Sequence, residues 1–197
     1  MTPMLKLAAA AGALVLSGCV SVIPSPGSPD ALFSVDAVSV GQPLAANLAV
    51  REPESPLIVS GQAMTSKSPA GEIRLLPGAE WAERSTRMLQ LAVIDSFAVE
   101  ADGAAVLPES GIRVDYEMTS RLQALELRGN VAVCDLTVAL VDLRSREILA
   151  REGIRAEQTA DSDKTLARAT ALKTAAESCA ADMARFASSA VSGAEAP

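Results

Sequence analysis

The chain has 197 residues, a length that suits one domain plus targeting segments. Hydrophobic residues make up 49% and aromatics 3%, so any core must be aliphatic; a formal net charge of -7 gives no electrostatic footprint for nucleic acid and no attraction to an anionic lipid surface. There is no histidine, which excludes Ser-His-Asp and Cys-His sites and the usual His-containing zinc sites.

The first eighteen residues read as a leader. Lys6 precedes an apolar run over 7–16, about half the length that a membrane-spanning helix needs. Leu16-Ser17-Gly18-Cys19 follows at once, and it has the form of a bacterial lipobox: an aliphatic residue, a small residue, Gly, then Cys. The small residues let a peptidase approach the backbone, and the Cys19 thiol takes a diacylglycerol. The expected product is cleaved before Cys19 and carries a diacylglycerol and an N-acyl chain (palmitate and its like) on that residue, enough chains for permanent attachment. Val20 and Ser21 follow, with no Asp after the cysteine, which favours the outer membrane, periplasmic face. Residues 19–30 hold Pro24, Pro26, Gly27 and Pro29 among serines and read as a tether, so a folded domain is expected over 31–190.

Within that domain, Phe33, Val35 and Val38 give 31–40 strand character, and 48–52, 57–64 and 73–76 are further short apolar runs. Residues 79–99 lack Pro and Gly, and Trp81, Met88, Leu89, Ala92, Ser96 and Val99 fall at helical spacing, which predicts a helix ended by Asp102-Gly103. Alternation over 112–128 predicts a strand whose apolar phase slips near Leu125, the mark of a bulge. Gly129-Asn130 is a turn, 131–143 a central strand, 144–147 a hairpin loop and 148–157 a polar-faced strand, together a three-stranded antiparallel meander. A closing helix over 161–190 carries Leu166, Ala169, Leu172, Ala176, Cys179, Met183 and Phe186 as its apolar stripe. The tail 191–197 is expected to be disordered. The fold class predicted is α+β: a mainly antiparallel sheet with two long helices packed on one face.

Few groups suggest chemistry. Cys134 and Cys179 lie on apolar faces of the central strand and the last helix; they would either bridge in an oxidising compartment or stay separate buried thiols. Asp115 and Glu117 fit a solvated strand face better than a catalytic pair, and the glycines form no phosphate loop. No catalytic residue, metal ligand or dissociable cofactor is nominated. Trp81 is the one candidate for lining a ligand groove, with a core role the stronger reading.

The strand that runs through Ile73-Arg74-Leu75-Leu76-Pro77-Gly78 into Ala79-Glu80-Trp81-Ala82-Glu83-Arg84 resembles the opening of the ABC-type transport auxiliary lipoproteins, of which the paraquat-inducible system's lipoprotein is one. The strand around Val114-Asp115-Tyr116-Glu117-Met118, the aliphatic strand, the hairpin and the closing helix extend the likeness over 31–188. Phe33 stands alone where that family often has a more aromatic strand. The resemblance implies the outer-membrane lipoprotein of a mammalian cell entry (MCE) type lipid transport system. It would be a non-enzymatic auxiliary to an MCE protein and its ABC permease and ATPase, with phospholipids or other hydrophobic compounds as cargo moved between the inner and outer membranes. The alternative is a lipoprotein chaperone or assembly factor for an outer-membrane protein.

Overall fold

In a computed structural model the chain is described over residues 29–41, 43–97 and 102–195; the leader, the lipobox and Cys19 lie outside the described residues. The elements run β1 (Ala31–Phe33), β2 (Leu48–Val50), α1 (Leu57–Ser60), β3 (Ala63–Lys67), β4 (Ile73–Trp81), α2 (Ser85–Asp95), β5 (Ala105–Val106), β6 (Tyr116–Arg128), β7 (Val131–Asp142), β8 (Ile148–Thr159) and α3 (Thr165–Glu195). A 3-10 turn at Pro108–Ser110 joins β5 to β6.

All eight strands belong to one sheet. β6, β7 and β8 form the expected antiparallel meander, from Tyr116↔Asp142 to Arg128↔Val131 and from Val131↔Thr159 to Val141↔Ile148. The slip in apolar phase is real: the β6–β7 register shifts between Leu122 and Ala124. Before it the buried residues of β6 alternate as Tyr116, Met118 and Leu122; after it Ala124, Leu125 and Leu127 are all enclosed.

The rest of the sheet departs from expectation. It is mixed, because β1 pairs β4, β2 pairs both β5 and β6, and β3 pairs β6, all in parallel. The strands β1, β2 and β5 are only two or three residues long, which leaves almost no periodicity from which direction can be read.

The segment 79–84 is also not helical. β4 continues through Pro77-Gly78 to Trp81, and α2 begins only at Ser85. Gly78 makes this possible at φ +77, a left-handed conformation that moves the inward set from Leu76 to Ala79 and Trp81; a Cβ there would also meet Asp30 Oδ2 at 2.5 Å. Trp81 then pairs with Phe33 in β1. Of the expected helical face, Met88, Leu89 and Ala92 are buried as foreseen, and Val99 lies outside the described residues. Residues 57–64 split into the single turn α1 and the start of β3, and 34–40 are irregular, not strand.

α3 is longer than foreseen, running through Ser192 and Gly193 to Glu195 where a disordered tail was expected. Six residues of its predicted stripe are buried, but Leu166 is 56% exposed. The buried arc is broader than one stripe, because Ala171, Ala175, Ala180, Ala181, Ala184 and Ala187 are enclosed as well. Alanine lets the sheet curl closely around the helix, and the helix takes its packing from many small contacts where aromatics are scarce. One long helix, one of eleven residues and the turn α1 therefore replace the two long helices predicted.

Candidate functional site

A cleft of about 770 Å³ is built around the start of β6, the end of β7 and the C-terminal turn of α3. Its wall is pinned by Asn47, which no periodicity or motif marks in the sequence. The Asn47 side chain donates to the Arg113 carbonyl at 3.1 Å and accepts from the Ala104 N–H at 3.0 Å. Its own carbonyl accepts from the N–H groups of Asp115 and Tyr116. Gly103 closes the wall from below: its N–H donates to the Leu44 carbonyl at 2.9 Å, and a Cβ at this position would collide with the Ala46 backbone.

The polar lining is charged. The Tyr116 hydroxyl donates to Glu195 Oε1 at 2.5 Å, and this bond, aided by burial, pushes the Tyr116 pKa up to about 12. Asp142 accepts from the N–H groups of Ser145 and Arg144, which hold its carboxyl below the usual range. Asp102, Asp115, Arg113 and Arg144 complete the rim. Such a lining suits a protein surface or a polar head group better than an acyl chain.

A second cleft, of about 460 Å³, lies on the side of the β6–β8 meander away from α3. Thr119 and Arg121 of β6, Thr137 and Ala139 of β7 and Arg151 of β8 line it, with Arg51, Glu52 and Glu54 at one side. Ser120 borders it too, but its hydroxyl is enclosed without a partner. Glu52 reaches away from this cleft to the start of α2. It accepts from Thr86 Oγ1 at 2.5 Å and from Arg84 at 3.0 Å. α2 has Arg84 at its N-cap and no acidic residue in its first turn, so Glu52 supplies from β2's flank the negative charge that the helix lacks. Gln90 donates to the Val50 carbonyl at 2.7 Å and fastens the same helix to β2.

Trp81 is 1% exposed and lines neither cleft. It is a core residue at the end of a strand, and the groove expected between its helix and the sheet does not open beside it. Cys134 of β7 and Cys179 of α3 are both fully enclosed and face each other with Cα atoms 6.4 Å apart, a separation that a disulfide spans. Asp36 accepts from Lys173 at 2.7 Å, and Glu177 of the next turn joins them, clamping the segment after β1 to α3. The bond from Lys173 holds the Asp36 carboxyl below its usual range. Among the described residues no group of three Cys, Asp or Glu side chains is placed to hold a metal, and no helix is long and apolar enough to cross a membrane.

The ends of the molecule differ. β1 and β4 run parallel, and Asp30 lies against Gly78, so residues 29–30 leave the domain on the side where β4 begins. That side also holds the β3–β4 hairpin tip, the Gly129-Asn130 turn and the start of α3, whose Arg168 donates to the Gly129 carbonyl. β6 runs the opposite way to β4, through β3, so Tyr116 and the larger cleft stand at the other end, about 40 Å off by the rise of a thirteen-residue strand.

Among solved structures, the chain is similar to a Xanthomonas campestris protein of the family DUF330, with a TM-score of 0.73 and 19% identity over 83% of this chain and 95% of that one. An uncharacterized protein aligns with a TM-score of 0.60 and 12% identity over 78% of this chain and 99% of that one. The hypothetical protein CT253 from Chlamydia trachomatis aligns at 0.53 and 7% identity over 76% and 99%. At these identities the likeness is one of fold. No curated protein matches the chain. The model of the ABC-type transport auxiliary lipoprotein component matches residues 32–184, most of the described domain, and the chain belongs to that family.

Proposed function

We propose that this protein is the lipid-anchored auxiliary component of an MCE-type ABC transporter of phospholipids or other hydrophobic compounds. Cleavage after Gly18 leaves Cys19, acylated and inserted in the outer membrane, with residues 19–30 as tether and 31–190 as a periplasmic domain. The domain performs no chemistry of its own; it docks the periplasmic end of the MCE protein, whose permease and ATPase supply the energy. In that oxidising compartment Cys134 and Cys179 are bridged.

Beyond family membership, the observation that carries this reading is the placement of the larger cleft at the end opposite to the chain's exit toward Cys19. An anchored docking module must present its partner-binding surface away from its own membrane. The polar rim around Asn47, Arg113, Asp115 and Arg144 suits a folded partner, and it favours docking over cargo storage.

The test is photocrosslinking in the native host from Arg113 and Arg144, with a reference crosslinker at Lys67 near the tether end, followed by mass spectrometry. An MCE protein, permease or ATPase captured from the cleft positions and not from Lys67 supports the proposal. Capture of β-barrel or barrel-assembly proteins instead sinks it and supports the chaperone reading. Equal capture from all three positions refutes the assignment of the cleft.

A further inference from the structure

Resting on the lipoprotein reading above, we propose that the outward corner formed by β1 and β4 is a second membrane contact, laid on the lipid surface to which Cys19 tethers the domain. The inward residues of β4 are Leu76, Ala79 and Trp81; the outward ones include Ile73, 43% exposed, and Leu75, 60% exposed. Leu32 of β1 stands opposite Glu80 on the same outward side and is 61% exposed. Ile73 and Leu75 thus point to solvent at the start of β4, and Leu32 lies on the same outward side roughly 15–25 Å further along that edge. Exposed aliphatics scattered singly need no explanation, but a row of them on one edge marks a contact surface.

The chain itself says what covers that surface. β1 is the first element after the tether, and residues 29–30 leave on the side where Ile73 begins β4. From Cys19 to Ala31 the chain spans at most about 40 Å when fully extended, and roughly half that as a flexible coil. The tether keeps this edge of the domain close to the bilayer, where even weak apolar contact gains from high effective concentration. Lys67 pairs with Ile73 across the hairpin on the same outward side and is exposed, so its ammonium reaches head-group phosphates, whereas Arg74 points to the other face and is paired with Glu72. A flat contact of this kind sets the domain's tilt and directs the Asn47 cleft away from the membrane.

The experiment uses the full lipidated protein in phosphatidylethanolamine–phosphatidylglycerol liposomes. An environment-sensitive dye is attached at Ala70→Cys, in the β3–β4 hairpin, or at Ser145→Cys, in the β7–β8 loop. Both sites are exposed, and they lie at opposite ends. Quenching by head-group nitroxide lipids is expected to be several-fold stronger at position 70, and to fall toward the position 145 value when Ile73→Ser and Leu75→Ser are added. Equal quenching at the two sites, or quenching at 70 that ignores the serine pair, overturns the proposal. A dye at 70 that responds to protein concentration and not to nitroxide lipid assigns the corner to a second copy of the chain, and also overturns it. Protein that fails to float with the liposomes refutes the lipoprotein reading itself, a failure distinct from the other two.

Discussion

Removing the link between Cys134 and Cys179 is expected to cost a large share of the domain's stability. The two residues are 45 apart in sequence, so a bond between them closes a loop that spans most of β7, all of β8 and half of α3. In the chain-entropy account, a loop of that length constrains the unfolded chain by about 4 kcal/mol. Single domains of this size are stable by roughly 5–15 kcal/mol, so the bond decides whether the marginal case folds at all. The assay is urea unfolding of the exported domain, followed by circular dichroism. One sample is kept oxidised and a second is refolded from urea with a phosphine reductant, because enclosed sulfurs are reached only in the open chain. With a urea slope of about 2 kcal/mol/M the midpoint should drop by roughly 2 M. Thiol titration in denaturant should find no free Cys134 or Cys179 before reduction. Coincident unfolding curves, or two free thiols in protein taken directly from the periplasm, would refute the reasoning and leave two neighbouring reduced cysteines.

Gly103→Ala should destabilise by about 1–3 kcal/mol, since the new methyl meets the Ala46 backbone, which cannot rotate away; thermal unfolding checks it, and an unchanged midpoint would mean the wall yields. Glu52→Ala should loosen the first turn of α2 at a cost of about 1 kcal/mol, read as faster amide exchange at Arg87 and Met88, because the replacement leaves Thr86 and the helix start without their carboxylate partner. Asp36 and Asp142 have carboxyl pKa values below the usual range in the folded chain, so their stabilisation is full above the unfolded value of 3.8 and is lost as pH falls through the folded values. Stability measured from pH 5 downward should therefore decline, and Asp36→Asn with Asp142→Asn should flatten that decline. Tyr116 runs the other way: its raised pKa makes its contribution full below 10.0 and lost as pH rises through about 12, which Tyr116→Phe should abolish.

The sequence carried the meander and its bulge openly, because β6, β7 and β8 are long enough for two-residue alternation to repeat and Gly129-Asn130 marks the first turn. It carried α3 for the same reason at the helical period. It misled at 79–84. Trp81, Met88 and Leu89 are seven and eight apart, a spacing that two helical turns produce, yet here Trp81 ends a strand and the other two sit in a helix starting four residues later. Nothing in the local pattern marks Gly78 as a left-handed bulge; a Pro-Gly pair reads as a strand ending, and the partner that makes it a strand interior, β1, lies over forty residues earlier. Asn47 was illegible for the same physical reason. Its role is to bond residues 104 and 113, and such long-range side-chain bonds leave no periodic trace.

That parallel pairing of β1 with β4 also does what no residue type in it would suggest. Had the first strand joined the sheet antiparallel to β4, residues 29–30 would leave beside Trp81, toward the end that holds Tyr116, and a tethered domain would press its larger cleft on its own membrane. Three residues, Ala31 to Phe33, are too few to stabilise the sheet much, and Leu32 among them is left in solvent. Their direction is nevertheless fixed: Phe33 packs against the core, the Ala82 N–H donates to its carbonyl at 2.8 Å, and Lys173 and Glu177 of α3 hold Asp36 three residues on. Breaking the clamp with Lys173→Ala should therefore leave the global unfolding midpoint within about 1 kcal/mol of wild type, as for other partly exposed ion pairs. It should speed amide exchange at Phe33 and Ala82 selectively. Equal acceleration across β7 would show that this strand shares the stability of the whole sheet, and that its orientation is not a separately held feature of the fold.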